Sequence, residues 1–592
     1  MKKITFNFSK WALSIIFLFT VYSIDAQKSM RDHPLGNNIS FLNQLQSELK
    51  TAEKNNGKAK LNLSVSTQET LHGIINYQQN KDGILHIEGE IQDQPHGSFN
   101  IKINDSKLEG NIIFPQSKKA YVYYSQNGNA YIKEEDINKV ICVDFHIPKS
   151  FFQGKNTAHK NATVTNITSL QSFPGAAGCL LLDFDGYVVP AGSGWNAGNT
   201  FTALPSGMTD ANIQEAWEIV AEDYRPFNIN VTTDENVFNT YPQNKRRRCV
   251  ITPTDLPSPG GTGTSLINSF SSSSDLPCWV FTLSAGVYGK IVGEVASHEL
   301  GHTFGLYHDG QGPYTYYGGN GNWAPIMGIS YYKNVTQWSK GEYSNGTNHQ
   351  DDLAIISNTS TNGVGYRQDN IGDTFSTANI LVTAGEVVNA AQNQSVIDHT
   401  DDIDMFMFHA NGGNINLKVQ AAERHSDLLL KVLLYNSQHL LVASYMGNTT
   451  NLSDPITINI NLAAGDYYLA ISGTGEGTPD TGYTSYSSLG IYSISGNIPK
   501  IGVLATGEKI LDEKESTIVY PSLVINEFTV DTKNTGKYEM KIFSSAGQLL
   551  QSNLLSDQIT QISFSDKPPG KYFIVLKNLK SGLNVSHSII KQ

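Results

Sequence analysis

His298-Glu299-Leu300-Gly301-His302-Thr303-Phe304-Gly305-Leu306-Tyr307-His308-Asp309 is the stretch on which the reading of this chain turns. On an α-helix His298 and His302 stand one turn apart and project from the same face, so their imidazoles converge. Neutral imidazole nitrogen is a favoured zinc ligand, at about 2.0–2.1 Å in tetrahedral geometry. A third ligand further along the same helix would swing away from the ion. Gly305 removes that difficulty, because glycine takes the left-handed conformation that ends a helix and turns the chain back. His308 then completes a three-histidine set whose fourth corner is open to water, as in catalytic rather than structural zinc sites. Glu299 points about 100° around the helix from His298. It is suited to take a proton from water and deliver it to a leaving amine. The opposite face carries Val292, Val295, Ala296 and Leu300, which anchor the helix in a core. His-Glu-x-x-His alone arises by chance in on the order of one or two chains per hundred, but Gly305 and His308 reduce that to roughly a few per hundred thousand.

Downstream, Ala324-Pro325-Ile326-Met327-Gly328 supplies a methionine-containing turn. The extended histidine motif and this turn together resemble the metzincin zinc metalloproteases, and Asp309 directly after the third histidine is similar to the adamalysin or reprolysin-like branch. The resemblance spans about Ala177 to Arg367 and is sharpest from Gly293 to Gly328. It implies an α/β zincin-like catalytic domain with one catalytic Zn2+, and endopeptidase action on extracellular proteins or peptides. Met327 is then expected beneath the ligands, with Asp309 a structural carboxylate tying the ligand loop to the core. The family also implies an edge strand that receives substrate. Thr264 to Phe270 occupies the expected place, with Thr264, Ser265, Leu266 and Ile267 offering main chain for strand addition. Ile326 and Ile329 would flank a specificity pocket. Tyr331 or Tyr332 would face the oxyanion, at a spacing from Met327 that departs from the family pattern.

Around this centre, helix and strand signals alternate. Apolar strands are expected at Gly178–Phe184, Phe227–Thr232, Cys249–Thr252 and Trp279–Leu283, and helices at Thr209–Tyr224 and Lys290–Phe304. Upstream, Asn38 to Pro148 reads as a helix at Ile39–Leu49 followed by short alternating strands. A propeptide of this kind restrains a secreted protease. Val140-Ile141-Cys142-Val143-Asp144 contains two zinc donors, Cys142 and Asp144, of the kinds used to block the metal before activation. The alternative for Cys142 is a structural thiol or disulfide.

Beyond Tyr366 the pattern is β only. Gly372-Asp373-Thr374, Asp401-Asp402-Ile403-Asp404-Met405-Phe406 and Gly465-Asp466-Tyr467-Tyr468-Leu469 resemble the bacterial pre-peptidase C-terminal domain, and acidic loop residues there offer Ca2+ ligands. Val519-Tyr520-Pro521-Ser522, Ile542 to Leu549 and Pro569 to Val575 resemble the C-terminal sorting domain of type IX secretion, which implies passage across a gram-negative outer membrane and contact with that machinery.

Composition sets the remaining bounds. With 592 residues and 39% hydrophobic residues the chain can bury several cores. A net charge of −12 offers no field for phosphate backbones, so nucleic acid is not an expected partner. Lys245 to Arg248 reads as a solvated strand entrance. Lys2, Lys3 and Lys10 before the apolar run Trp11–Tyr22, closed by Ala26, read as a secretory signal, and no later run is long enough to cross a bilayer. Of Cys142, Cys179, Cys249 and Cys278, the last two are the favoured pair in an oxidising compartment.

The expected organisation is multidomain: signal peptide 1–26, β-rich propeptide 27–172, metzincin catalytic domain 173–368, a pre-peptidase C-terminal-like β-sandwich 369–498, a linker 499–517 and a second β-sandwich, the sorting domain, 518–592. Two other functions compete with the secreted endopeptidase. One is a catalytically silent adhesin on a zincin scaffold that binds matrix or glycan. The other is a metallohydrolase with a non-peptide substrate.

Overall fold

The computed structural model describes residues 32–51, 59–142, 166–330, 332–499, 517–533, 536–545, 548–580, 582 and 584–592. The signal segment, Asp144, Tyr331 and the charged stretch from Lys509 to Ser516 lie outside them. Two compact units are present, Met1–Ile501 and Gly502–Gln592.

The site is built on a five-stranded sheet in the first unit. Its strands are β1 (Gly178–Asp183), β2 (Ile229–Thr232), β3 (Arg246–Thr252), β4 (Gly263–Thr264) and β5 (Cys278–Phe281), in the order β2-β1-β3-β5-β4. The first four in that order are parallel and wholly apolar in their middles, as strands covered on both faces must be. Only β4, at the edge, runs antiparallel. Helix α1 (Asp210–Asp223) begins where the Thr209 hydroxyl accepts from the Asn212 amide, and buries Ile213, Ala216 and Val220. Helix α2 (Gly289–Phe304) is buried on nearly every side, consistent with its apolar content, and packs between α1 and the sheet.

The fold class expected from the sequence is corrected by the structure. Strand makes up 43% and helix 14%, so the chain is mainly β with many separate sheets, which conflicts with a helical α/β zincin-like catalytic domain. Two long helices dominate the periodicity of that region because 14 and 16 residues repeat a pattern several times. Strands of two to seven residues, such as β4 and β3, leave almost no periodic trace.

N-terminal to this sheet, helix Asn38–Thr51 and eight antiparallel strands between His33 and Asp136 enclose their own core, centred on Leu45, Ile87, Ile101 and Ile132. The sheet docks on the loop before β4's neighbours through Glu88. Its buried carboxylate receives the Gly194 amide at 3.0 Å, Asn100 Nδ2 at 2.7 Å and His86 Nε2 at 2.6 Å. C-terminally, residues Asn379–Asn497 form one nine-stranded sheet system threaded by two long strands, Ile403–Ala421 and Ile456–Gly473. It is bound to α1 by Arg424 to Glu218 at 2.5 Å, His425 to Glu215 at 3.0 Å and the Ile491 amide to Glu222 at 3.1 Å. The second unit, described by itself, has a three-stranded and a five-stranded sheet around Phe528, Tyr538, Phe564 and Ile574.

Two further expectations change. The basic run is not solvated: Arg247 is fully buried and donates to the carbonyls of Ser269, Phe270, Ser274 and Leu276, while Arg248 pairs with Asp183 and Glu235. Long cationic side chains that satisfy several loop carbonyls can be interior, which residue type alone does not disclose. Cys249 and Cys278 stand opposite each other on β3 and β5, yet all four cysteines are free thiols.

Two consequences are measurable. Asp223 at the end of α1 hydrogen-bonds the carboxyl of Asp427 from the nine-stranded region, and burial pushes both well above the usual carboxylate range. A folded pKa above the unfolded one stabilises at low pH and is lost as pH rises beyond the ordinary carboxylate range. The melting temperature should therefore fall from pH 5 to pH 8, and Asp427→Asn should flatten that slope. Glu88→Ala leaves the Gly194 amide without its acceptor and should weaken docking of the N-terminal sheet by about 2–5 kcal/mol. After limited proteolysis between residues 142 and 166, size-exclusion chromatography should show faster separation of the two pieces than in the parent.

Candidate metal centre

Helix α2 presents His298 and His302 from one face, and Gly305 ends it in the left-handed conformation, φ 106° and ψ 12°. The Gly305 amide bonds back to the Gly301 and His302 carbonyls, and the returning chain sets His308 against both helix histidines. His302 Nε2 lies 3.1 Å from His298 Nε2 and 3.0 Å from His308 Nε2.

The far nitrogens explain the orientation. His298 Nδ1 is 2.9 Å from the Ile326 carbonyl and His302 Nδ1 is 2.7 Å from the Leu306 carbonyl. A carbonyl only accepts, so each Nδ1 carries the proton and each Nε2 presents a lone pair. Burial lowers the pKa of His298 to about 4 and those of His302 and His308 well below the ordinary histidine value, the latter two helped by neighbouring imidazoles. Unprotonated nitrogens facing one another at hydrogen-bond distance, with no proton between them, suit a shared cation. The residues present therefore fit zinc.

Cys142 stands at the fourth corner. Its Sγ is 3.5 Å from His308 Nε2, and the ligand atoms of Cys142, His298, His302 and His308 all lie within 4.8 Å of one another. Three nitrogens and a sulfur are a donor set that zinc accepts. Residues 140–142 reach this position by pairing with the anticipated substrate segment. The Cys142 amide donates to Ser265 O at 3.0 Å, the Ile267 amide to Val140 O at 3.1 Å, and Thr264 Oγ1 to Cys142 O at 2.6 Å. Of that segment only Thr264 belongs to a strand of the five-stranded sheet. Leu266 forms an antiparallel bridge with Ile141, and Asn268 and Phe270 turn inward to the His302 and Thr303 carbonyls.

Glu299 is fully buried, and burial pushes its pKa up to about 8 against the opposing effect of the Ser265 and Cys142 side chains. Its carboxylate lies against β4: a Cβ on Gly263 would come within 2.5 Å of Glu299 Oε1. Met327 lies under the helix, its Sδ only 2.7 Å from where a Cβ on Gly301 would stand. Asp309 is buried, its amide bonded to the Met327 carbonyl at 2.8 Å, and desolvation raises its pKa to about 7. The loop carrying His308 and the turn carrying Met327 are thus joined by main chain.

The sequence did not single out Tyr316, whose ring stacks on His308 with centroids 4.3 Å apart, or Gln350, whose amide group bridges Tyr307 N and Gly305 O. Both come from loops without a spacing rule relative to the histidines, so no local signal marks them. Tyr332, one of the two tyrosines expected near the oxyanion, is half-exposed and donates to the Gly318 carbonyl at 2.8 Å. In the nine-stranded region, Asp369, Asp373 and Asp402 also bring carboxylate oxygens within 4.8 Å of one another.

Comparison with known proteins locates one family. A secretion system C-terminal sorting domain matches residues 518–592. The chain is therefore exported by the type IX route across the outer membrane, to the cell surface or extracellular space. No characterised protein matches the chain as a sequence. Among solved structures it is similar to the pre-peptidase C-terminal domain of a collagenase from Bacillus anthracis, at 18% identity and TM-score 0.14, over 21% of this chain and 97% of that one. It is also similar to PorZ, a type IX secretion component of Porphyromonas gingivalis, at 12% identity and TM-score 0.12, over 27% of this chain and 32% of that one. Likenesses at these scores carry no weight for function.

Gly301→Ala would place a methyl group 2.7 Å from Met327 Sδ and 3.1 Å from the Trp338 ring. Overpacking of this kind costs about 1–3 kcal/mol. Calorimetry should show a correspondingly lower melting temperature, and metal analysis a weaker hold on zinc.

Proposed function

We propose that the chain is the precursor of a secreted zinc endopeptidase with a metzincin-type ligand set, kept latent by Cys142. The observation that carries this reading is the convergence of three unprotonated Nε2 atoms beside a buried glutamate that follows the first ligand. Zinc bound there would lower the pKa of a water molecule and polarise a peptide carbonyl. His298, His302 and His308 would hold the ion, with Ile326 O and Leu306 O keeping two of the rings oriented. Glu299, held by burial in a range where it both accepts and releases a proton near neutrality, takes a proton from water and hands it to the departing amine. Ser265 and Ile267 bind substrate main chain, as they now bind residues 140–142. Removal of the N-terminal sheet withdraws Cys142 and frees both the fourth corner and the edge. Asp369, Asp373 and Asp402 are the donors for an accompanying Ca2+.

A silent adhesin would have no use for Glu299, so the two readings separate experimentally. Processed protein should contain about one zinc per chain and cleave casein or gelatin. Glu299→Ala should retain the metal and lose activity by several orders of magnitude. Cys142→Ala should make the unprocessed chain active. Casein cleavage equal in wild type and Glu299→Ala would remove Glu299 from the chemistry.

A further inference from the structure

Residues 140–142 do more than deliver a thiol. Their two main-chain hydrogen bonds with Ser265 and Ile267, and the bridge between Ile141 and Leu266, are antiparallel. Both bonds use backbone atoms that any peptide possesses, and the edge can be filled by one chain at a time. Antiparallel pairing is the more stable mode per residue, and parallel addition would need slanted bonds to different partners. A peptide that adds to this edge therefore runs in the direction already taken by Val140–Cys142.

Side chains on such a strand alternate, so Ile141 points away from the histidines that Cys142 faces. Val140 and Ile141 are both buried, in one apolar cluster with Val250 and Trp279, and Leu266 packs against that cluster. Beside Val140 a cavity of about 620 Å³ opens between Lys102, Lys139, Leu266 and Ser271, leaving room for further residues upstream.

We infer that Val140–Cys142 is bound in the polarity of a substrate, and that the cleft selects aliphatic residues on the N-terminal side of the bond it cuts. This rests on the endopeptidase reading above. The thiol then protects the segment from hydrolysis: with sulfur replaced, water adds across the amide following residue 142, yielding a new carboxylate and the free amine of Val143.

The test uses zinc-loaded mature enzyme and the acetylated peptide of residues 138–143 with alanine in place of cysteine, which removes chelation. It should compete with casein at least about tenfold better than its retro-sequence or the form carrying Ile141→Asp. In the full-length Cys142→Ala chain, N-terminal sequencing should find a cut adjoining residue 142. Equal competition by the forward and retro peptides, or casein digestion by Cys142→Ala without a cut there, overturns the inference and leaves the protease standing. Zinc-loaded mature protein that digests nothing overturns the protease reading, and this inference with it.

Discussion

Three imidazole nitrogens held face to face, with no proton between them, are the constraint around which the first unit is organised. Bare lone pairs at 3.0–3.1 Å repel unless a cation sits among them. Their positions are imposed by main chain: the Ile326 and Leu306 carbonyls take the opposite nitrogens, and the Asp309 amide joins the ligand loop to the Met327 turn. Each of these acceptors belongs to a different segment, so the centre holds only if helix, turn and loop are packed together.

The surrounding regions supply that packing. Glu294, one turn before His298, binds Lys290, Ser330 and Thr336, which ties α2 to the chain beyond the Met327 turn. That chain is in turn held by the nine-stranded region, where Gln337 donates to the Asp427 carbonyl and Trp323 stacks near Tyr483. On the opposite side the N-terminal sheet reaches the edge segment at Ile141. The nine-stranded region is thus braced against the same helix that bears two ligands, and behaves as a structural part of the first unit.

Much of the candidate site was legible because its chemistry is local. Histidines at i and i+4, a glycine three residues later and a third histidine after it are a one-dimensional pattern with a direct three-dimensional meaning. The extents of α1 and α2 follow similarly from caps and periodicity. The fold class was misjudged because those helices are conspicuous while short strands are not. The basic run Lys245–Arg248 was misjudged because burial of arginine depends on distant carbonyls, here those of residues 269–276.

What the sequence determined by itself is therefore the ligand set, the base beside it and the turn that closes the set, since all lie within a dozen residues. Only the tertiary structure decided that Cys142 stands at the fourth corner and lies antiparallel to Ser265–Ile267, and that Tyr316 covers His308. Those contacts join positions separated by up to 166 residues and depend on how sheets stack, which no local spacing encodes.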